Sequence, residues 1–128
     1  MTTARRVLLA EDDRFLRRAF ETALRRRGFT VLVAVDGAQA LALAKGERPD
    51  LVLLDLLMPR LSGFDVLRAM RGDPTTRDVP VLILSNSSRA FDAREAQALG
   101  VVACLVKANL SLQDLGDRIE RLLAEARP

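Results

Sequence analysis

Histidine, tryptophan and tyrosine are all missing from this sequence, and it holds a single cysteine, Cys104. One cysteine excludes an internal disulfide and fits a reducing cytoplasm. Without tryptophan or tyrosine there is little aromatic surface for stacking nucleobases, and the arginines are scattered rather than gathered on one element, so no direct nucleic-acid contact is expected. No apolar run reaches the length of a membrane span. The opening MTTARRVLLAEDD has too short an apolar segment for a signal peptide and runs straight into acids. No glycine-rich phosphate loop or dinucleotide fingerprint follows the first apolar run, which excludes the common nucleotide-binding readings.

What is present suits one domain with one core, spanning residues 1–128 with its body at about 6–123. Nearly half of the residues are apolar and the net charge is only +3. Val7 to Ala10 predict a first strand, followed by a helix from Arg14 with apolar positions Leu16, Ala19, Phe20, Ala23 and Leu24, closed by Gly28. Arg25, Arg26 and Arg27 sit where that helix ends and read as a solvated cationic terminus. Phe29 to Val35 predict the second strand, Asp36 the cap of a helix over Ala38 to Lys45, and Gly46 its stop. Leu51 to Leu54 predict a third strand without alternation, as expected where both sheet faces are covered. A helix from Phe64 to Arg71, a strand from Val79 to Leu84, a helix from Arg89 to Leu99, a strand from Val101 to Val106 and a final helix carrying Leu112, Leu115, Ile119 and Leu122 complete the series. Strands alternating with helices predict an α/β fold, a doubly wound five-stranded parallel sheet with helices on both faces.

In such a sheet ligands bind outside the carboxyl ends of the strands. The first strand delivers Glu11 and Asp12 there, the third Asp55, the fourth Ser85 and the fifth Lys107. Asp55 stands out because it closes the apolar run LVLLD, where an ionised group is costly unless paired or metal-bound. Asp13 reads as a helix cap, and Ser87 and Ser88 as caps or turn formers.

These pieces, LLAEDD, LLDLLMPRLSG, VPVLILS and GVVACLVK in that order, resemble the receiver domain of two-component response regulators. The resemblance implies the flavodoxin-like strand order 2-1-3-4-5. It implies that Asp55 is a phosphoacceptor, and that Glu11, Asp12, Asp55 and the backbone carbonyl of Leu57 hold Mg2+ or Mn2+. Lys107 and Ser85 would contact the phosphoryl oxygens. Such a domain is a switch in a two-component system or phosphorelay rather than a conventional enzyme, although it catalyses its own phosphorylation and dephosphorylation. With no histidine, the chain needs an external donor, implied to be a sensor histidine kinase or a histidine phosphotransfer protein, and a downstream protein target that the sequence does not name.

Three positions depart from the family pattern. Cys104 replaces an aromatic residue three before the lysine, Ala108 replaces a proline after it, and Asn86 replaces a small residue after Ser85. Cys104 reads as an inert core thiol. The Lys107–Ala108 bond is expected to be trans, or the loop strained, because a cis bond before alanine costs about 3–4 kcal/mol. The departures keep an alternative open, a pseudo-receiver that is not phosphorylated and serves as a protein-interaction module. A haloacid-dehalogenase-like phosphatase is disfavoured, since it needs an aspartate where Leu57 stands.

Overall fold

The computed structural model describes residues 4–85 and 93–125, with the backbone alone at Ala93. Five parallel strands, β1 (Arg6–Ala10), β2 (Thr30–Ala34), β3 (Leu51–Asp55), β4 (Val81–Ser85) and β5 (Ala103–Val106), form one sheet in the order β2-β1-β3-β4-β5. The order implied by the resemblance is the order found. Between the strands lie α1 (Arg14–Arg26), α2 (Gly37–Glu47), α3 (Gly63–Arg71) and α4 (Ala93–Ala98), and α5 (Leu112–Glu125) follows β5. The part of the expected fourth helix before Ala93, together with Asn86, Ser87 and Ser88, lies outside the described residues.

Alternation along the strands divides the interior into two layers. Leu8, Val52, Leu54, Val81 and Ile83 face Ala40 and Ala44 of α2 and Val66, Leu67 and Met70 of α3. Val7, Leu9, Leu51, Leu53, Leu82 and Leu84 face Phe20 and Leu24 of α1 and Leu115, Ile119 and Leu123 of α5. Because both faces are covered, β3 and β4 are buried along their whole length. Each large side chain so buried is worth about 1.5–3 kcal/mol, which is why the apolar runs are continuous.

The helices start where short polar side chains can satisfy free N–H groups. Asp13 caps α1, accepting from Phe15 N at 2.9 Å and Leu16 N at 3.1 Å. Asp36 caps α2 through Gln39 N at 2.8 Å. Ser62 and Asp65 form a reciprocal capping box on α3. Several boundaries shift by one or two residues from expectation, and two of the differences matter for the caps and the site. Gly46 lies inside α2, and it is Arg48, at φ 47°, that takes the left-handed position after the helix. Asp55 itself belongs to β3, held in the ladder opposite Leu84.

Arg27 also departs from the solvated reading. Its guanidinium pairs with Asp117 at 2.9 Å and Glu120 at 3.2 Å and donates to Gln113 O at 3.1 Å, binding the end of α1 to α5. Arg71 plays a similar part at the end of α3. It donates to Leu99 O at 2.7 Å, Val79 O at 2.8 Å and Arg77 O at 3.0 Å, joining α3 to the entry of β4 and the turn after α4. Arg71→Met should therefore strand these carbonyls and cost about 2–3 kcal/mol. The midpoint of urea unfolding measures it, and Arg71→Lys should recover only part, because one ammonium cannot span the same set.

Candidate functional site

Strand register brings the expected residues to one edge. Ala10 is opposite Leu54, so the next residues, Glu11 and Asp55, fall side by side. Ser85 is opposite Val106, the residue before Lys107. Glu11, Asp55 and Ser85 are buried, while Asp12 is exposed at the mouth.

Carboxylate oxygens of Glu11, Asp12 and Asp55 lie within 4.8 Å of one another. The Lys107 ammonium stands 2.6 Å from Glu11 Oε1 and 3.3 Å from Asp55 Oδ2. Leu57 N–H donates to Asp55 Oδ1 at 3.3 Å, and Asp13 N–H donates to Glu11 Oε2 at 3.1 Å. Despite the ion pair, the buried Glu11 Oε1 accepts no hydrogen bond of good geometry among the described residues. Burial, and then the neighbouring Glu11, push the Asp55 carboxyl up to about 7, against the opposing pull of Lys107. Burial lowers the Lys107 pKa, but Glu11 and Asp55 outweigh it and the net shift is upward. Lysine thus stays charged beside Glu11 and Asp55. Hard oxygen ligands crowded in this way, with one buried oxygen lacking a good donor, suit a divalent cation.

Sequence reasoning named each of these side chains but missed what holds them. Arg17 donates to Glu11 O at 3.1 Å and Asp12 O at 3.2 Å, pinning the acidic turn from one turn inside α1. Its only signal was an arginine six residues after the first acid. The loop after Asp55 is held just as tightly. Gly63 N–H donates to Leu56 O at 2.8 Å, and Leu61 N–H donates to Pro59 O at 2.9 Å across Arg60, whose φ is 74°. That three-residue turn is rare and strained. Arg60 faces Asp36 at 3.5 Å, and Gly37 N–H donates to Pro59 O at 3.2 Å, so the start of α2 clamps the loop.

The Lys107–Ala108 bond is trans, no cis peptide being present among the described residues. Lys107 to Asn109 form a single 3-10 turn that carries the lysine inward without a proline. Cys104 is half-buried against the layer beneath α2 and α3, and burial pushes its thiol pKa up, away from the reactive thiolate.

Comparison with known proteins agrees with this geometry. The response regulator receiver domain family matches residues 7–120. The response regulator MprA of Mycobacterium tuberculosis is 34% identical over 123 residues, covering 96% of this chain and 52% of the relative. The transcriptional regulatory protein PrrA of the same organism is 40% identical over 121 residues, covering 94% and 51%. The chain therefore spans about half the length of these curated relatives. Among solved structures, the chemotaxis response regulator CheY4 of Vibrio cholerae superposes with a TM-score of 0.85 at 29% identity, covering 94% of this chain and 99% of that one. The receiver domain of sensor histidine kinase PA1611 from Pseudomonas aeruginosa, solved with a magnesium ion coordinated in its active site cleft, gives 0.85 at 27%, covering 95% and 99%. No helix among the described residues is long and apolar enough to cross a membrane. With the sheet order, the acidic edge and the inward lysine in agreement, the chain belongs to the response regulator receiver domain family.

Proposed function

We propose that this domain is a phosphorylation-dependent signalling switch in which Asp55 accepts a phosphoryl group from a phosphohistidine on a sensor histidine kinase or a histidine phosphotransfer protein. The observation that carries the reading is the convergence of three carboxylates and one ammonium on a single point at the sheet edge. An Asp55 oxygen attacks phosphorus, the phosphorus–nitrogen bond to the donor breaks, and an acyl phosphate remains. Glu11, Asp12, Asp55 and the Leu57 carbonyl would hold Mg2+ or Mn2+, which when bound offsets charge on the transferring group. The magnesium ion in the cleft of the PA1611 receiver supports that assignment.

Lys107 already lies beside Asp55 and needs only to leave Glu11 to pair with a phosphoryl oxygen. Ser85, at the end of β4, would donate its hydroxyl to another. The added charge, up to about two units, then biases the arrangement of the elements after β4 and so the partner-binding surface. No aromatic side chain stands at Cys104 to report the change, which leaves the contact through Ser85 and the backbone as the route.

Incubation with Mg2+ and acetyl phosphate, followed by intact-mass measurement, tests the assignment. A phosphoryl-sized gain supports the switch, and no gain in the native protein favours the interaction-module alternative. The lifetime of the modified form is a separate prediction. Leu57 is 58% exposed and offers no polar group to orient an attacking water. Leu57→Asn should hydrolyse faster by about tenfold, less than the roughly 10²–10⁴-fold of a positioned general base because an amide orients water without taking its proton; equal decay rates would remove the argument.

A further inference from the structure

At the amino ends of β4 and β5, on the sheet edge opposite Asp55, lies an open cleft of about 530 Å³. That is room for a small molecule. Val79, Pro80, Leu99 and Val102 form an apolar wall, and Val102 is 42% exposed. Arg71, Arg77 and Asp78 supply the charge. A guanidinium carries five N–H groups. In Arg71, Nε and Nη1 donate to the carbonyls of Leu99, Arg77 and Val79, but Nη2 reaches only Gly100 O, at 3.5 Å. One N–H of Nη2 therefore has no acceptor among the described residues, and the guanidinium meets no carboxylate there. By contrast Arg5, Arg6, Arg27 and Arg68 each have a carboxylate within 3.6 Å. Burial lowers the Arg71 pKa, and the charge of Asp78 opposes that fall without forming an ion pair. The exposed side chains of Arg77 and Asp78 make no hydrogen bond or ion pair among the described residues either. Two cations and one acid thus flank one apolar wall, and none of them is neutralised by another.

We propose that this cleft binds a small zwitterion, an apolar α-amino acid, with its carboxylate on Arg71 and Arg77, its ammonium on Asp78 and its side chain against the apolar wall. The chemistry of the lining selects that class. A nucleotide or other polyanion would meet Asp78, and a bare cation would meet two arginines. A simple carboxylate would leave Asp78 unanswered. A zwitterion meets both signs of charge, a guanidinium is a strong partner for its carboxylate, and an apolar side chain covers Val102. The site lies at the other end of the strands from Asp55 and does not depend on phosphorylation.

Titration of the isotope-labelled native protein with L-leucine and with L-phenylalanine, followed by amide NMR, tests the proposal. Signals of Arg77 to Val79 and Leu99 to Val102 should move saturably with at least one of them, with a Kd of about 1 mM or tighter, as suits so small a ligand. Isocaproate, which lacks the ammonium of leucine, and leucinamide, which lacks its carboxylate, should each bind about fivefold more weakly or worse. Asp78→Asn should weaken the amino acid by about threefold while leaving isocaproate unchanged, and Arg77→Gln should weaken both. Both side chains are exposed and unpaired, so signals remote from the cleft should overlay on those of the native protein and show that the variants fold. Arg71 is left intact because it braces the turns on either side. Absence of saturable movement at these amides in millimolar amino acid overturns the proposal. Isocaproate binding as tightly as leucine, or native affinity for the amino acid in Asp78→Asn, overturns it as well and reassigns the cleft to monocarboxylates.

Discussion

Asp55→Asn should abolish the phosphoryl-sized mass gain from acetyl phosphate and, in chelator, make the metal-free protein more stable than the native one above pH 7. The loss of labelling follows from the proposed role of Asp55 as nucleophile. The stability gain follows from linkage. Burial, and then Glu11, raise the Asp55 carboxyl from 3.8 to about 7 in the folded protein. Between those values the folded state keeps a proton that the unfolded chain has released, so native stability falls as pH rises through the window. The contribution is intact below about pH 4 and spent above about pH 7. A difference of that size corresponds to at most about 4 kcal/mol, and relaxation at the mouth should leave about 2. Thermal unfolding should therefore show the variant and native protein melting together near pH 4, then diverging by about 5 °C by pH 8. A melting difference that does not change with pH would mean that Asp55 is not held protonated by its surroundings. Added Mg2+ should narrow the gap at high pH by favouring the native carboxylates.

Gly63→Ala should be the most damaging small substitution in the loop after Asp55. A Cβ there would overlap the Asp55 carbonyl oxygen and come within 2.7 Å of Leu56 Cα and 3.1 Å of the Asp55 carbonyl carbon. All three atoms are backbone of the turn that aims Asp55, so either α3 retreats or the turn moves. Overpacking of this kind costs about 1–3 kcal/mol, and the shift should also slow labelling by acetyl phosphate. Gly116→Ala is the control. A Cβ at position 116 would meet the Arg27 guanidinium rather than backbone, and a long side chain can swing away. The lost contacts to Asp117, Glu120 and Gln113 are offset by the roughly 1 kcal/mol that alanine gains over glycine inside a helix. Gly116→Ala should thus unfold within about 1 kcal/mol of the native protein and be labelled normally. If Gly63→Ala proved equally mild, the turn would be more pliable than its contacts indicate.

The residues differ in how visible their roles were before folding. Asp13 and Asp36 were legible as caps because a cap acts within three residues of itself. Arg27 was not, because its partners Asp117 and Glu120 are on another helix, and no local pattern distinguishes a latched arginine from a solvated one. Gly46 looked like a helix stop because glycine ends many helices, yet the turn was completed by Arg48 in a left-handed conformation that its own side chain does not favour. Arg60, in a strained turn clamped by Asp36 and Gly37, left no sequence signal at all.

By itself the order of residues determined the alternation of strands and helices and the side chains that end each strand, because hydrophobic period and capping act over a few neighbours. The flavodoxin-like strand order came with the motif resemblance rather than from those local patterns. Tertiary structure alone decided that Glu11 Oε1 and Asp55 Oδ2 share one ammonium, that the Asp55 carboxyl rises to about 7, and that Arg27 latches α1 to α5. Distance and burial set those outcomes, and both arise only when segments far apart in the chain are packed against one sheet.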